Sequence, residues 1–90
     1  MLSQFEIKIS GRVQGVGFRA AARRQARSLQ LKGWVENLAD GSVRVVVSGD
    51  MENCSKFISW SREGSGYSWV ERVDILEMKP EHLNPFEIIY

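Results

Sequence analysis

The sequence predicts an α+β fold, a ferredoxin-like α/β sandwich with the order β-α-β-β-α-β plus a short C-terminal strand. The sheet is expected to be mostly antiparallel, with both helices on one face. Three observations predict it. Apolar residues alternate at Phe5, Ile7 and Ile9 and again at Val43, Val45 and Val47, the period of half-buried strands. Two other segments carry their apolar residues at helical spacing instead. Each of these follows one strand and precedes another, and right-handed crossovers then place both helices on the same face.

In the first strand Glu6, Lys8 and Ser10 fill the positions between the apolar ones. From Phe18 the apolar stripe continues through Ala22, Ala26 and Leu29, with Arg23, Arg24 and Arg27 off it, so an amphipathic helix ends near Leu29. Trp34 to Leu38 reads as the second strand, and Asp40-Gly41 supplies the positive φ angles of a tight hairpin into the third. Asp50 is placed to cap a second helix with Met51, Cys54, Phe57, Ile58 and Ser61 inward, and Gly64 suits its end. Val70 to Met78 is the fourth strand, bulged because Val70 and Val73 fall out of phase. Beyond Pro80 and Pro85, the residues Phe86, Ile88 and Tyr90 form a short last strand. The far face of the sheet is expected to be largely solvated. Trp34, Trp60 and Trp69 read as core or edge packing, and His82 as a surface loop residue.

A chain of 90 residues has room for one two-layer core, hence a single domain over 1–90. No apolar run approaches the ~18 residues that span a bilayer, and the alternating start does not look like a signal peptide. Cys54 is the only cysteine, so no internal disulfide forms and a reducing cytoplasm is the expected location. With one His and one Cys and no paired spacing, no metal or other cofactor is expected. The net charge of +1 conceals an asymmetry: Arg12, Arg19, Arg23, Arg24, Arg27 and Lys32 follow one another with no acid between them. Such a local positive field draws in small anions.

The segment Gly11 to Arg19 reads GRVQGVGFR and joins the first strand to the first helix. A glycine-rich turn there exposes backbone N–H groups that the helix cannot satisfy, at its positive end. Gly15, Val16, Gly17, Phe18 and Arg19 are therefore candidate phosphate-binding residues, their amides converging as a nest and Arg19 adding a forked cation. A helix of about 12 residues runs back roughly 18 Å. A short strand returns a similar distance at ~3.3 Å per residue, which brings Asn37 beside the turn. Asn37 does not titrate, but its amide can accept from and donate to a water and so hold it in line with phosphorus. A site with Arg and Asn but no evident acid suits a substrate whose leaving group needs no proton, such as a carboxylate of pKa about 4. Neither GxxxxGK[ST] nor GxGxxG is present, so nucleotide binding of those kinds is not supported.

Together with Gly33-Trp34-Val35-Glu36-Asn37 and Asp40-Gly41-Ser42-Val43, this segment resembles the signature of the acylphosphatase family. The resemblance covers nearly the whole chain. It implies a hydrolase that cleaves acyl phosphates to a carboxylate and inorganic phosphate, with Arg19 and the amides of Gln14 to Phe18 binding phosphate and Asn37 orienting the attacking water. The chain departs from the family pattern at Ala20-Ala21-Ala22, where an aromatic often follows the arginine. It also departs at Gln30, in place of a common glycine, and at Ile89, in place of a basic residue. If Gln30 is left-handed it costs on the order of 1 kcal/mol. One alternative is a non-catalytic phosphate-binding or regulatory domain of the same fold. Another is an RNA-binding module, disfavoured because the third strand lacks the aromatics on which such modules stack bases. The expected partners are thus a small acyl phosphate and inorganic phosphate, with no nucleic acid, no membrane, and a monomeric state.

Overall fold

A computed structural model describes residues 2–90. Its elements are β1 (Leu2–Arg12), α1 (Phe18–Ser28), β2 (Lys32–Asn37), β3 (Val43–Asp50), α2 (Met51–Glu63), β4 (Trp69–Met78) and β5 (Glu87–Ile89). The strands form one sheet in the order β4-β1-β3-β2-β5, antiparallel except for β5, which runs parallel to β2. Phe5, Ile7 and Ile9 of β1, Val35 of β2 and Val43, Val45 and Val47 of β3 are buried, because alternate residues of each strand face the helices. Phe18, Ala22 and Ala26 of α1 and Cys54 and Phe57 of α2 complete the core. Burial pushes the Cys54 thiol up to about 11, so it packs as a neutral side chain.

Several expectations change in detail. β2 ends at Asn37 because Leu38 already belongs to the turn, its N–H donating to the Ser42 carbonyl at 2.8 Å and its carbonyl accepting from Gly41 at 3.2 Å. Only Gly41 has positive φ there, as in a three-residue hairpin loop ending in a left-handed residue; Asp40 instead accepts from the Ser42 N–H at 3.0 Å. Met51 is 50% exposed and does not join the inner face of α2. Asp50 occupies the N-cap position in extended conformation but makes no capping hydrogen bond with its side chain. The bulge in β4 is present: Ser10 pairs with Arg72 and Gly11 with Val70, which leaves Glu71 as the extra residue. Trp69, at the start of this edge strand, is 68% exposed and is not part of the packing.

The far face of the sheet is less open than expected. The segment between β4 and β5 crosses it from one edge strand to the other. Glu81 donates its N–H to Gln4 Oε1 at 2.9 Å and accepts from Ser48 Oγ at 3.2 Å. The Gly33 N–H donates to the Asn84 carbonyl at 3.1 Å. Gln4 and Ser48 are consequently 2% exposed, buried polar groups with partners. The strap delivers β5 to the edge beside β2, where Phe86 is fully buried and its ring lies 6.3 Å from that of Phe57.

Candidate active site

β1 ends at Arg12 and α1 begins at Phe18, and the five residues between them change direction by alternating the sign of φ. Gly15 has φ +74 and Gly17 φ +80, whereas Gln14 and Val16 are not among the positive-φ residues. Only glycine takes such angles without strain, and alternation of this kind turns successive N–H groups toward one concave side. None of the N–H groups of residues 15–20 meets an acceptor among the described residues. Gly17 is the N-cap of α1, with no side-chain cap and no acid in the first turn. The positive end of the helix therefore keeps its full partial charge.

These groups line a cleft of about 160 Å³ whose walls are Val13, Gly15, Gly17, Phe18, Arg19, Ala20, Ile88 and Tyr90. Gly15, Gly17, Phe18 and Arg19, all expected from the sequence, are brought together here. Val16 is partly buried and packs against the core instead, so its side chain is absent from the walls. Gln14 is used differently from its neighbours. Its Nε2 donates to the carbonyls of both Leu38 and Ser42 at 2.8 Å, which pins the loop to the β2–β3 turn. The Gln14 head group thus has a structural task, holding the loop to the turn.

Arg19 forms no ion pair among the described residues. Its guanidinium instead lies 5.1 Å from the centroid of the Tyr90 ring, a cation–π distance that leaves its N–H donors available. Arg27 on the same helix is engaged, donating through Nε to the Phe86 carbonyl at 3.0 Å and pairing with Glu87 at 3.3 Å. Asn37 closes β2 next to Leu38, the residue to which Gln14 is bonded. It is not a wall of the cleft with Arg19. Its Oδ1 is buried and has no hydrogen-bond partner among the described residues, an acceptor left open where buried polar atoms are nearly always satisfied. Beside it, Asp40 takes hydrogen bonds from Lys8 and from the Ser42 hydroxyl and N–H, and these hold its carboxyl well below the usual carboxylate range.

Val13, Ala20, Ile88 and Tyr90 were not foreseen as site residues. The signal was in the topology: a last strand parallel to β2 finishes at the same end of the sheet as Asn37. Among the described residues no group of three His, Cys, Asp or Glu is gathered that could hold a metal ion, and no helix is long and apolar enough to cross a membrane.

The family model for acylphosphatase matches residues 5–88. The chain is 43% identical over 83 residues to an acylphosphatase of Thermococcus kodakarensis, covering 92% of this chain and 91% of that protein. It is 49% identical over 74 residues to one of Chloroflexus aurantiacus, covering 82% and 80%. Among solved structures, the crystal structure of acylphosphatase from Bacillus subtilis superposes with a TM-score of 0.94 at 36% identity, each chain covered in full.

Proposed function

The chain belongs to the acylphosphatase family and hydrolyses the carboxyl–phosphate bond of acyl phosphates, and from that premise we propose how its own residues do so. The phosphoryl group sits in the concave side of the Gln14–Phe18 loop, held by the unpaired amides. Arg19 grips two of its oxygens. A water held by the Asn37 amide attacks phosphorus. The water oxygen forms the new P–O bond, the bond to the carboxyl oxygen breaks, and the electron pair leaves on the carboxylate. The water's protons pass to the phosphate product and solvent. No general acid is required, because a carboxylate of pKa about 4 departs unprotonated. In a loose transition state charge spreads over the equatorial oxygens, where the loop and Arg19 are aimed.

The observation that carries this reading is the convergence of unpaired N–H groups and an unpaired guanidinium on one cleft. A carboxylate partner for Arg19 would have argued for a structural ion pair instead. The orphaned Oδ1 of Asn37 supports the water-orienting role, since that acceptor matches a water proton. The non-catalytic alternative is not favoured, given the curated enzymes that the chain resembles over most of its length. The same reading takes the whole chain as one working unit, metal-independent, monomeric and cytoplasmic; that no three His, Cys, Asp or Glu gather among the described residues supports the metal-independent part, and the buried free Cys54 suits a reducing compartment.

Acetyl phosphate hydrolysis, with inorganic phosphate as competitive inhibitor, tests the roles separately. Arg19→Ala is expected to lower kcat/KM by roughly 100-fold or more and to weaken phosphate inhibition, the scale of a lost transition-state donor. Asn37→Ala is expected to lower kcat similarly while phosphate still inhibits. Phosphate inhibition that survives Arg19→Ala would remove Arg19 from the phosphate site, and loss of inhibition in Asn37→Ala would make Asn37 a structural residue.

A further inference from the structure

The two halves of the proposed site come from parts of the chain that the sheet does not join directly. The cradle follows β1 and Asn37 ends β2, and β3 lies between those strands. The ladder between β1 and β3 stops at Ile9 and Val43. Beyond it, among the described residues, Ser10, Gly11 and Arg12 pair only with β4. Lys8 reaches Asp40 of the β2–β3 turn at 2.8 Å, but from within β1 and in an exposed ion pair. Among the described residues, the hydrogen bonds that join the loop itself to the turn are the two from Gln14 Nε2, at 2.8 Å to the Leu38 and Ser42 carbonyls. Neither carbonyl needs them. The Leu38 carbonyl already accepts from the Gly41 N–H and the Ser42 carbonyl from the Leu38 N–H. A carbonyl oxygen has a second lone pair, and Gln14 uses it on both.

We infer that Gln14 is a positioning residue: by bridging the Leu38 and Ser42 carbonyls it fixes the water held by Asn37 in line with the phosphorus held by the cradle. This rests on the roles proposed above for the loop, Arg19 and Asn37. Leu38 follows Asn37 directly in the chain, so a shift of the turn carries Asn37 with it. Both hydrogens of one amide nitrogen are spent on the bridge, which therefore sets direction as well as distance. In-line attack tolerates little misplacement, and an error of ~1 Å can cost about 100-fold in rate. Phosphate binding is less exposed to such an error. The shape of the cradle is set by the left-handed Gly15 and Gly17 and by the start of α1, none of which involves the turn.

The test compares kcat for acetyl phosphate with inhibition by inorganic phosphate in Gln14→Met and Gln14→Glu of the whole protein. Met keeps the length of the side chain without its donors, and ionised Glu turns oxygens toward the two carbonyls. The turn keeps its own hydrogen bonds in both variants, and the Tm of each, measured first, sets an assay temperature below it. In Gln14→Met kcat is expected to fall roughly 10- to 100-fold, and at least as far in Gln14→Glu, while phosphate inhibition stays within about twofold of wild type. In an Asn37→Ala background Gln14→Met is expected to add less than about twofold, because residues that act as a unit do not add. Wild-type kcat in Gln14→Met overturns the inference. So does phosphate inhibition that weakens in step with kcat, which would make Gln14 part of the shape of the cradle, or a fully additive loss in the double variant. Full kcat in Asn37→Ala alone overturns the water-holding reading itself, and is seen without any change at Gln14.

Discussion

Gln14, Arg19 and Asp40 show how neighbouring polar side chains are given separate work. Gln14 uses its amide hydrogens on two carbonyls of the β2–β3 turn, so the cradle and the strand end carrying Asn37 are one framework. Arg19 has no carboxylate partner among the described residues, which leaves its donors available to the proposed phosphate. Asp40 ties the same turn from the other side, bonded to Lys8 and Ser42. Those bonds favour its charged form, so its folded-state pKa lies below its unfolded value, near 3.9. Its contribution is therefore complete above the unfolded pKa and is lost as pH falls through the folded one. Between about pH 4 and pH 2 the denaturation midpoint of the wild type is expected to drop more steeply than that of Asp40→Asn. Because the pair is exposed, 1 M salt is expected to shrink that difference. Parallel slopes at low salt would remove Asp40 from the acid response of the turn.

At the level of elements, α1 shows a motif with one ill-suited residue. Its C-terminus closes with the Gln30 N–H on the Arg27 carbonyl at 3.0 Å and the Leu31 N–H on the Ala26 carbonyl at 2.9 Å, the two bonds of a Schellman end. This places Gln30 at φ 58, the left-handed region that favours glycine. Gln30→Gly is expected to stabilise by ~0.5–1 kcal/mol, the strain relieved less the added entropy of the unfolded chain. That gain should raise Tm by about 2–8 °C in a domain of this size, with kcat unaltered because Gln30 lies at the far end of α1 from the cleft. An unchanged or lower Tm would mean that the site carries no strain. The position was legible in the sequence, as were α1, the three long strands and the β4 bulge, because each follows from a local period or a local turn. The strap and the Tyr90 contact were not. They depend on Glu81 meeting Gln4 and Tyr90 meeting Arg19 across most of the chain, and local pattern carries no information about such pairs. Met51 fits the apolar spacing of α2 but is its first residue and is 50% exposed, whereas Cys54, one turn on, is fully buried.

For the molecule as a whole, the distribution of charge matters more than its sum. Arg44 is flanked by Glu6 and Glu36, Arg72 by Asp74, Lys8 by Asp40, Lys56 by Glu52 and Arg27 by Glu87. By contrast Arg12, Arg19, Arg23 and Arg24 form no ion pair among the described residues, and they lie along the cradle and the first two turns of α1. Lys32, Arg62 and Lys79 form none either, but four of the uncompensated positive charges thus fall on the stretch that carries the proposed phosphate cradle. A multiply charged acyl phosphate is drawn toward it, and the attraction fades as the Debye length shortens from about 10 Å at 0.1 M salt to about 3 Å at 1 M. Arg24 is exposed and is not a wall of the cleft, which isolates its long-range effect from contact chemistry. Arg24→Glu is therefore expected to lower kcat/KM for acetyl phosphate roughly two- to fivefold at low ionic strength through KM, leaving kcat unaltered. The gap from wild type is expected to close by about 1 M salt. A loss in kcat, or a gap indifferent to salt, would mean that Arg24 supports the helix and not the approach of the substrate.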